Sequence, residues 1–258
     1  MFPSLIESNL IEKLRTAGSV FAEEEAKLLL TEAKSLEELN TMTDKRIAGM
    51  PLEYVIGWAE FCGHRIKVSP GVFVPRRRTE FLADQAAFLL KEDAVVLDLC
   101  CGTGAVGAVL ASSQKIDLYA VDLDPAAVRS AHENTEAFGG KVFEGDLYAP
   151  LPLSLKHRFD LIAANAPYVP SGEIEFMPRE ARLHEERMAL DGGGDGLDVQ
   201  RRIAAEADQW LAPGGCLLIE TSERQAPVTA DIFARHGINP RIVLDDDLHT
   251  AVVIGVAR

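Results

Sequence analysis

Apolar residues recur at three- and four-residue intervals through 4–16, 21–34 and 36–49, and this spacing predicts three amphipathic helices early in the chain. The third opens on Ser35-Leu36-Glu37-Glu38, a capping-box pattern in which a serine hydroxyl and a glutamate satisfy N–H groups of the first turn. Between Tyr54 and Val74 the period changes. β-Branched and aromatic residues alternate there around Gly63 and Gly71, which predicts a hairpin. From Phe81 onward short apolar runs alternate with helical patterns. The runs near 95–99, 116–121, 141–144, 159–164, 215–220, 239–244 and 250–256 predict seven strands of an α/β, doubly wound, Rossmann-like sheet. The organisation expected is a helical unit over 1–50, a hairpin linker over 51–80 and an α/β domain over 81–258, with no internal repeat and no low-complexity segment.

Candidate chemistry sits where strands end. Val95-Val96-Leu97-Asp98-Leu99-Cys100-Cys101-Gly102-Thr103-Gly104 reads as a buried strand breaking into a turn, with Gly102 and Gly104 letting the backbone approach a ligand closely. An Asp at the strand end and no Lys-Ser/Thr pair after the Gly-x-Gly argue against a phosphate cradle and for a cationic nucleoside such as S-adenosylmethionine. The turn alone is a weak sign, because many α/β proteins need one sterically. Spacing supports it: a second strand ends at Asp122, 24 positions after Asp98, where such folds put the carboxylate that accepts from ribose hydroxyls. A third leads into Gly145-Asp146-Leu147, where an acid commonly meets the adenine amino group. The bland alternatives are that Asp122 caps the helix starting near Asp124-Pro125 and that Asp146 occupies a turn. The fourth strand, Phe159 to Ala164, ends in Asn165-Ala166-Pro167-Tyr168. There the Asn165 side-chain oxygen and the Ala166 carbonyl can accept two N–H bonds of a planar nitrogen group on which Tyr168 lies; the alternative is a plain Pro-containing turn.

That tetrapeptide is one residue away from Asn-Pro-Pro-Tyr, the signature of methyltransferases that alkylate a nitrogen conjugated to a π-system. Three flanking segments extend the likeness: Pro51 to Gly63, Val72-Phe73-Val74-Pro75-Arg76-Arg77-Arg78-Thr79-Glu80, and Ala189-Leu190-Asp191-Gly192-Gly193-Gly194-Asp195-Gly196-Leu197. Over roughly residues 51–258 the chain resembles the HemK/PrmC-type protein N5-glutamine methyltransferases, which modify the glutamine of a Gly-Gly-Gln motif in peptide-chain release factors. The resemblance implies a class I methyltransferase fold with an antiparallel last strand, S-adenosylmethionine as methyl donor, and direct displacement that needs no metal. The catalytic residues it implies are Asn165, Ala166, Pro167 and Tyr168, and the same four with Arg76 for substrate binding. The cofactor set is Asp98, Cys100, Gly102, Gly104, Asp122, Leu123, Asp146, Leu147 and Asn165. The chain departs from the family where Ala166 replaces a Pro, where Arg77 and Arg78 stand in place of an acid, where no Gly follows Glu220-Thr221, and in a short N-terminal region.

Composition narrows the partners. Forty acids against 26 bases give a net charge of −14, which disfavours DNA or RNA unless a local basic patch reverses the field. The one basic cluster, Arg76-Arg77-Arg78, reads equally as a solvated loop or as a contact for an acidic protein, a ribosomal surface or a phosphate. His184-Glu185-Glu186 reads as a solvated surface run, and neither the histidines nor the four cysteines are spaced as metal ligands. No basic n-region or membrane-length apolar run is present, so the expectation is a cytoplasmic protein with reduced thiols. The connection from Val169 to Leu190 is long for its place, and reads as a segment closing over a substrate peptide or as a surface excursion. Two other function classes stay open: a nucleic-acid amino-group methyltransferase, and a non-catalytic cofactor-binding module.

Overall fold

The computed structural model describes residues 4–257. Helices α1 (Ser4–Thr16), α2 (Ala22–Glu32) and α3 (Leu36–Ile47) bury a cluster of their own around Leu10, Leu14, Leu29, Leu39 and Met42. The cap on α3 keeps half of its expected form: Ser35 Oγ accepts from the Glu38 N–H at 3.1 Å. The Glu38 carboxylate accepts instead from the Lys34 N–H at 2.8 Å, one residue ahead of the cap.

The hairpin is narrower than its alternation predicts. Residues 52–56 are held as a short helix, α4 (Leu52–Ile56), bracketed by Pro51 and a left-handed Gly57. Strands β1 (Trp58–Phe61) and β2 (His64–Lys67) then pair antiparallel across a two-residue turn at Cys62 and Gly63, both at positive φ as such turns require. Gly71 lies beyond the turn and bridges to Glu185.

After α5 (Glu80–Leu89), strands and helices alternate: β3 (Val95–Leu99), α6 (Ala105–Ser113), β4 (Asp117–Asp122), α7 (Pro125–Thr135), β5 (Lys141–Glu144) and β6 (Phe159–Ala164). A short α8 (Arg179–His184) interrupts the long connection, followed by α9 (Asp198–Trp210), β7 (Leu211–Thr221), α10 (Ala226–Arg235), β8 (Asn239–Asp245) and β9 (Thr250–Val256). The strands form one seven-stranded sheet in the order β5-β4-β3-β6-β7-β9-β8. All pairings are parallel except those of β9, which runs antiparallel to both its neighbours, as expected. Strand β7 begins at Leu211, ahead of its apolar run, because Leu211 pairs with Phe159 before the register shifts.

Strand alternation builds a core on each face. Leu97, Leu99 and Ile162 pack with Trp210 and Phe233 on one side, and Val96, Leu161 and Ala163 with Leu82 and Leu110 on the other. Both faces are covered by helices, so the crevice available to a ligand is at the sheet's end.

Candidate functional site

Strands β3 and β6 lie side by side with Leu99 level with Ala164, so the turns that follow them open at the same end of the sheet. The chain crosses over here, β4 going to one side and β6 to the other, and open α/β sheets form ligand crevices at such points. Of the residues expected from sequence, all but Gly104 and Arg76 line the pocket that results.

The turn after β3 explains the first exception. Gly104 opens α6 at φ 72°, and a Cβ there would come within 3.0 Å of Ala131 on α7. Its glycine is required by helix packing rather than by approach of a ligand. Gly102 differs, since a Cβ on it would meet nothing within 4 Å, and the room above it belongs to the pocket. Cys100 sits at φ 56°, in the left-handed region, which accounts for Gly being common at that position in the family it resembles. Burial pushes the Cys100 and Cys101 thiols up, so neither is a ready thiolate nucleophile.

Three carboxylates share the pocket in different states. Asp98 is buried, accepts from the Gly107 N–H at 2.8 Å, and is pushed up by burial to about 7. Asp122 accepts from the Gly102 N–H at 2.7 Å and the Asp124 N–H at 2.9 Å. It is raised by burial, which outweighs those two donors. The cap of α7 is Asp124, whose side chain accepts from Ala126 N–H, so Asp122 braces the glycine turn and keeps lone pairs for hydroxyl donors. Asp146 accepts from Arg202 of α9 at 2.6 Å, and Arg202 itself lines the pocket. Open space over Gly102, acids beside it and apolar Val121, Leu123 and Leu147 suit a nucleoside with a cationic end.

The turn after β6 is held from several sides. Asn165 Nδ2 donates to Thr79 Oγ1 at 3.0 Å, which fixes the amide and leaves Oδ1 as an acceptor. No hydrogen bond among the described residues takes up the Ala166 carbonyl. Tyr168 donates its phenolic proton to Glu220 Oε1 at 3.2 Å, and burial raises its pKa. Behind the turn, Gln225 Nε2 donates to the Tyr168 and Asp195 carbonyls, both at 3.0 Å. A Cβ on Gly196 would fall 2.3 Å from the Tyr168 carbonyl, and one on Gly192 2.7 Å from that of Pro167. The glycine-rich stretch therefore lets two backbones lie against each other.

The basic cluster is neither a solvated loop nor a free patch. Arg76 pairs with Glu185 at 2.5 Å and lies over the Phe73 ring, so its guanidinium is spent outside the pocket lining. Glu185, read from sequence as part of a solvated run, has a side chain only 1% exposed and also accepts from the Val74 N–H. Burial raises its pKa against the pull of Arg76. Arg78 reaches Glu220 at 3.5 Å and covers the Tyr168 ring, and only Arg77 is left exposed. The long connection is thus pinned at Glu185, and again at Glu180, which pairs with Arg46 of α3 at 2.6 Å. Thr79, Arg78, Glu220, Gln225 and Arg202 were not among the site residues named from sequence, although Arg78 and Thr79 lie in a segment that carries the family likeness and Glu220 is an acid at the end of the otherwise apolar run Cys216-Leu217-Leu218-Ile219. No helix among the described residues is long and apolar enough to cross a membrane.

Residues 64–202 match the family described as Methyltransferase small domain. The chain is 39% identical over 196 residues to the Release factor glutamine methyltransferase of Geobacter sulfurreducens, covering 75% of this chain and 68% of that one. It is 38% identical over 194 residues to the Ribosomal protein uL3 glutamine methyltransferase of Burkholderia pseudomallei, covering 70% and 63%. Among solved structures it is similar to the E. cuniculi Mtq2–Trm112 complex responsible for methylation of the eRF1 translation termination factor, with a TM-score of 0.51 and 22% identity over 73% of this chain and 99% of that one. At that identity the likeness is one of fold.

Proposed function

We propose, for a chain that belongs to the release factor glutamine methyltransferase family, that it methylates the side-chain amide nitrogen of a glutamine in a Gly-Gly-Gln protein, a release factor first among them. The observation that carries this reading is the Asn165 amide, tied to Thr79 so that its oxygen is left free beside the unpaired Ala166 carbonyl.

S-Adenosylmethionine, when bound, supplies a methyl group on a positively charged sulfur that leaves as a neutral thioether. In this reading Asp122 holds ribose hydroxyls, Asp146 with Leu123 and Leu147 receives the adenine, and Asp98 supplies negative charge suited to a cationic ligand. The open room over Gly102 supports that fit. The acceptor nitrogen is a poor nucleophile because its lone pair is delocalised into the carbonyl. Asn165 Oδ1 and the Ala166 carbonyl accept its two N–H bonds and turn the lone pair out of conjugation, and Tyr168 fixes the amide plane. No group has to remove a proton before the displacement; the extra proton on nitrogen passes to solvent afterwards. Placement and fixed acceptors thus do the work. The nucleic-acid alternative loses support, because Arg76 and Arg78 of the basic cluster are paired with Glu185 and Glu220 in a chain of net charge −14.

The test is incubation with methyl-labelled S-adenosylmethionine and, separately, a release factor and ribosomal protein uL3, followed by mass mapping. The expected result is label on the release-factor glutamine, cut by roughly 10²–10³ in Asn165→Ala, with cofactor affinity changed only a few-fold. Label on uL3 alone would keep the chemistry and change the substrate. An Asn165→Ala variant with a normal rate would sink the assignment.

A further inference from the structure

Among the described residues two arginines line the pocket, and they are in different states. Arg202 donates to Asp146 at 2.6 Å and is spent on it. Arg78 is held without being spent. Its Nε is buried and has no hydrogen-bond partner, and no hydrogen bond among the described residues uses its other N–H donors. Charge and stacking keep it in place: Glu220 Oε1 stands 3.5 Å from Nε, and the guanidinium carbon lies 5.4 Å from the centre of the Tyr168 ring. Glu220 is fully enclosed and does not line the pocket, whereas the Arg78 side chain does and is 41% exposed. Thr79, the next residue, accepts from Asn165 Nδ2 at 3.0 Å. The free donors of Arg78 therefore stand beside both side chains that would handle the acceptor amide.

From this geometry we infer that Arg78 is a substrate-binding residue whose free N–H donors take a main-chain carbonyl of the substrate next to the target glutamine. The inference rests on the glutamine-methylation reading. Charge chooses among the acceptors that a peptide can offer. Glu220 already balances the guanidinium, so a second carboxylate would leave this corner negative in a chain of net charge −14, whereas a carbonyl adds no charge. A carbonyl also accepts more strongly from a charged donor than from a neutral one. Phe61, Phe73, Pro75, Met177 and Met188 line the same pocket, and their side chains offer an entering main chain no donor. Glycine neighbours to the glutamine, lacking side chains, let that main chain come close.

Arg78→Met keeps the stem and removes the donors, and Arg78→Lys keeps the counter-charge to Glu220 and loses the planar fork. With a release factor as substrate, KM should rise roughly 10–100-fold in Arg78→Met, the loss expected for hydrogen bonds from a charged group, and less in Arg78→Lys. In both, kcat and cofactor affinity should stay within about threefold. An unchanged KM would overturn the inference, and so would a loss in kcat alone, which would make Arg78 only a brace for Tyr168. The acceptor is mapped with Gly-Gly-Gln peptides in which one main-chain carbonyl at a time is a thioamide, a weaker acceptor, titrated into protein saturated with S-adenosylhomocysteine. One thioamide should weaken binding to the wild type and leave binding to Arg78→Met unchanged. Equal losses in the two proteins at every position, or a dependence on Arg78 only in peptides with an acid beside the glutamine, would overturn the carbonyl contact. These titrations need no turnover. If the wild-type protein binds the peptides but methylates no glutamine, the functional reading fails and the titrations still decide the contact; if it neither binds nor methylates, both fall.

Discussion

Ala166 stands where the Asn-Pro-Pro-Tyr motif that this turn resembles has a proline, and the surroundings show what a proline there would leave intact. The residue is 1% exposed and belongs to the core against β6, while its carbonyl stays open and no hydrogen bond among the described residues uses its N–H. A proline there would lose no donor contact, and the following Pro167 already biases position 166 toward extended backbone. Ala166→Pro is therefore expected to keep activity and to raise stability by about 0.4–1 kcal/mol, through a stiffer unfolded chain. Urea denaturation checks it; a loss of stability would show that the backbone at 166 lies outside proline's range. Cys100 makes the opposite exchange, holding a left-handed φ of 56° with a side chain where glycine is at ease. Left-handed backbone costs an L-residue about 1–2 kcal/mol, and the half-buried thiol packed against the core offsets part of that.

At the scale of elements, α8 is a six-residue helix that could not stand alone, and two ion pairs hold its ends. Arg46 on α3 binds Glu180 at 2.6 Å and Glu25 of α2 at 2.8 Å, with its own side chain 13% exposed and that of Glu25 10%. Arg46→Met would strand the Glu25 charge, with an expected cost of about 3 kcal/mol, and would free the end of α8. Hydrogen exchange should then quicken across 179–184 and in α2; unchanged exchange there would show that the pairs do not restrain the connection. The strands and the first three helices were legible in sequence because each buries one face, and burial writes a period of two or of 3.6 into the chain. The turns at Asp98–Gly102 and Asn165–Tyr168 were legible because their chemistry is local. What stayed hidden was long-range: Glu185 reads as one of several charges in a row, and nothing nearby in sequence says that Arg76, 109 positions away, meets it. The hairpin was overdrawn for a related reason, since aromatic and β-branched residues at 52–56 fit a short helix equally once Pro51 and Gly57 stop it.

The whole molecule carries a net charge of −14, and four of its carboxyl groups, Asp98, Asp122, Glu185 and Glu220, are raised by burial. An acid raised in the folded state binds its proton more tightly there than in the unfolded chain. Such a group favours folding at low pH, and that contribution is lost as pH climbs from the unfolded value of about 4 to the folded one, about 7 for Asp98. Asp98→Asn removes one titration, so the variant should gain stability relative to the wild type between pH 4.5 and 7.5. Paired denaturation curves at those two values test it, and a constant difference would mean that Asp98 stays ionised throughout. Topology sets a different kind of limit. β9 leaves the ribosome after the other six strands of this sheet, yet it lies between β7 and β8, and edge strand β8 has no other neighbour in the sheet. While the chain is being made, β8 emerges first and must wait unpaired, and the strand carrying Glu220 has one bare edge until β9 arrives. A stop between Asp245 and Thr250 thus takes β9 away and leaves β8 without a partner, and a newly made copy cannot complete the wall behind Tyr168 until β9 has cleared the exit tunnel.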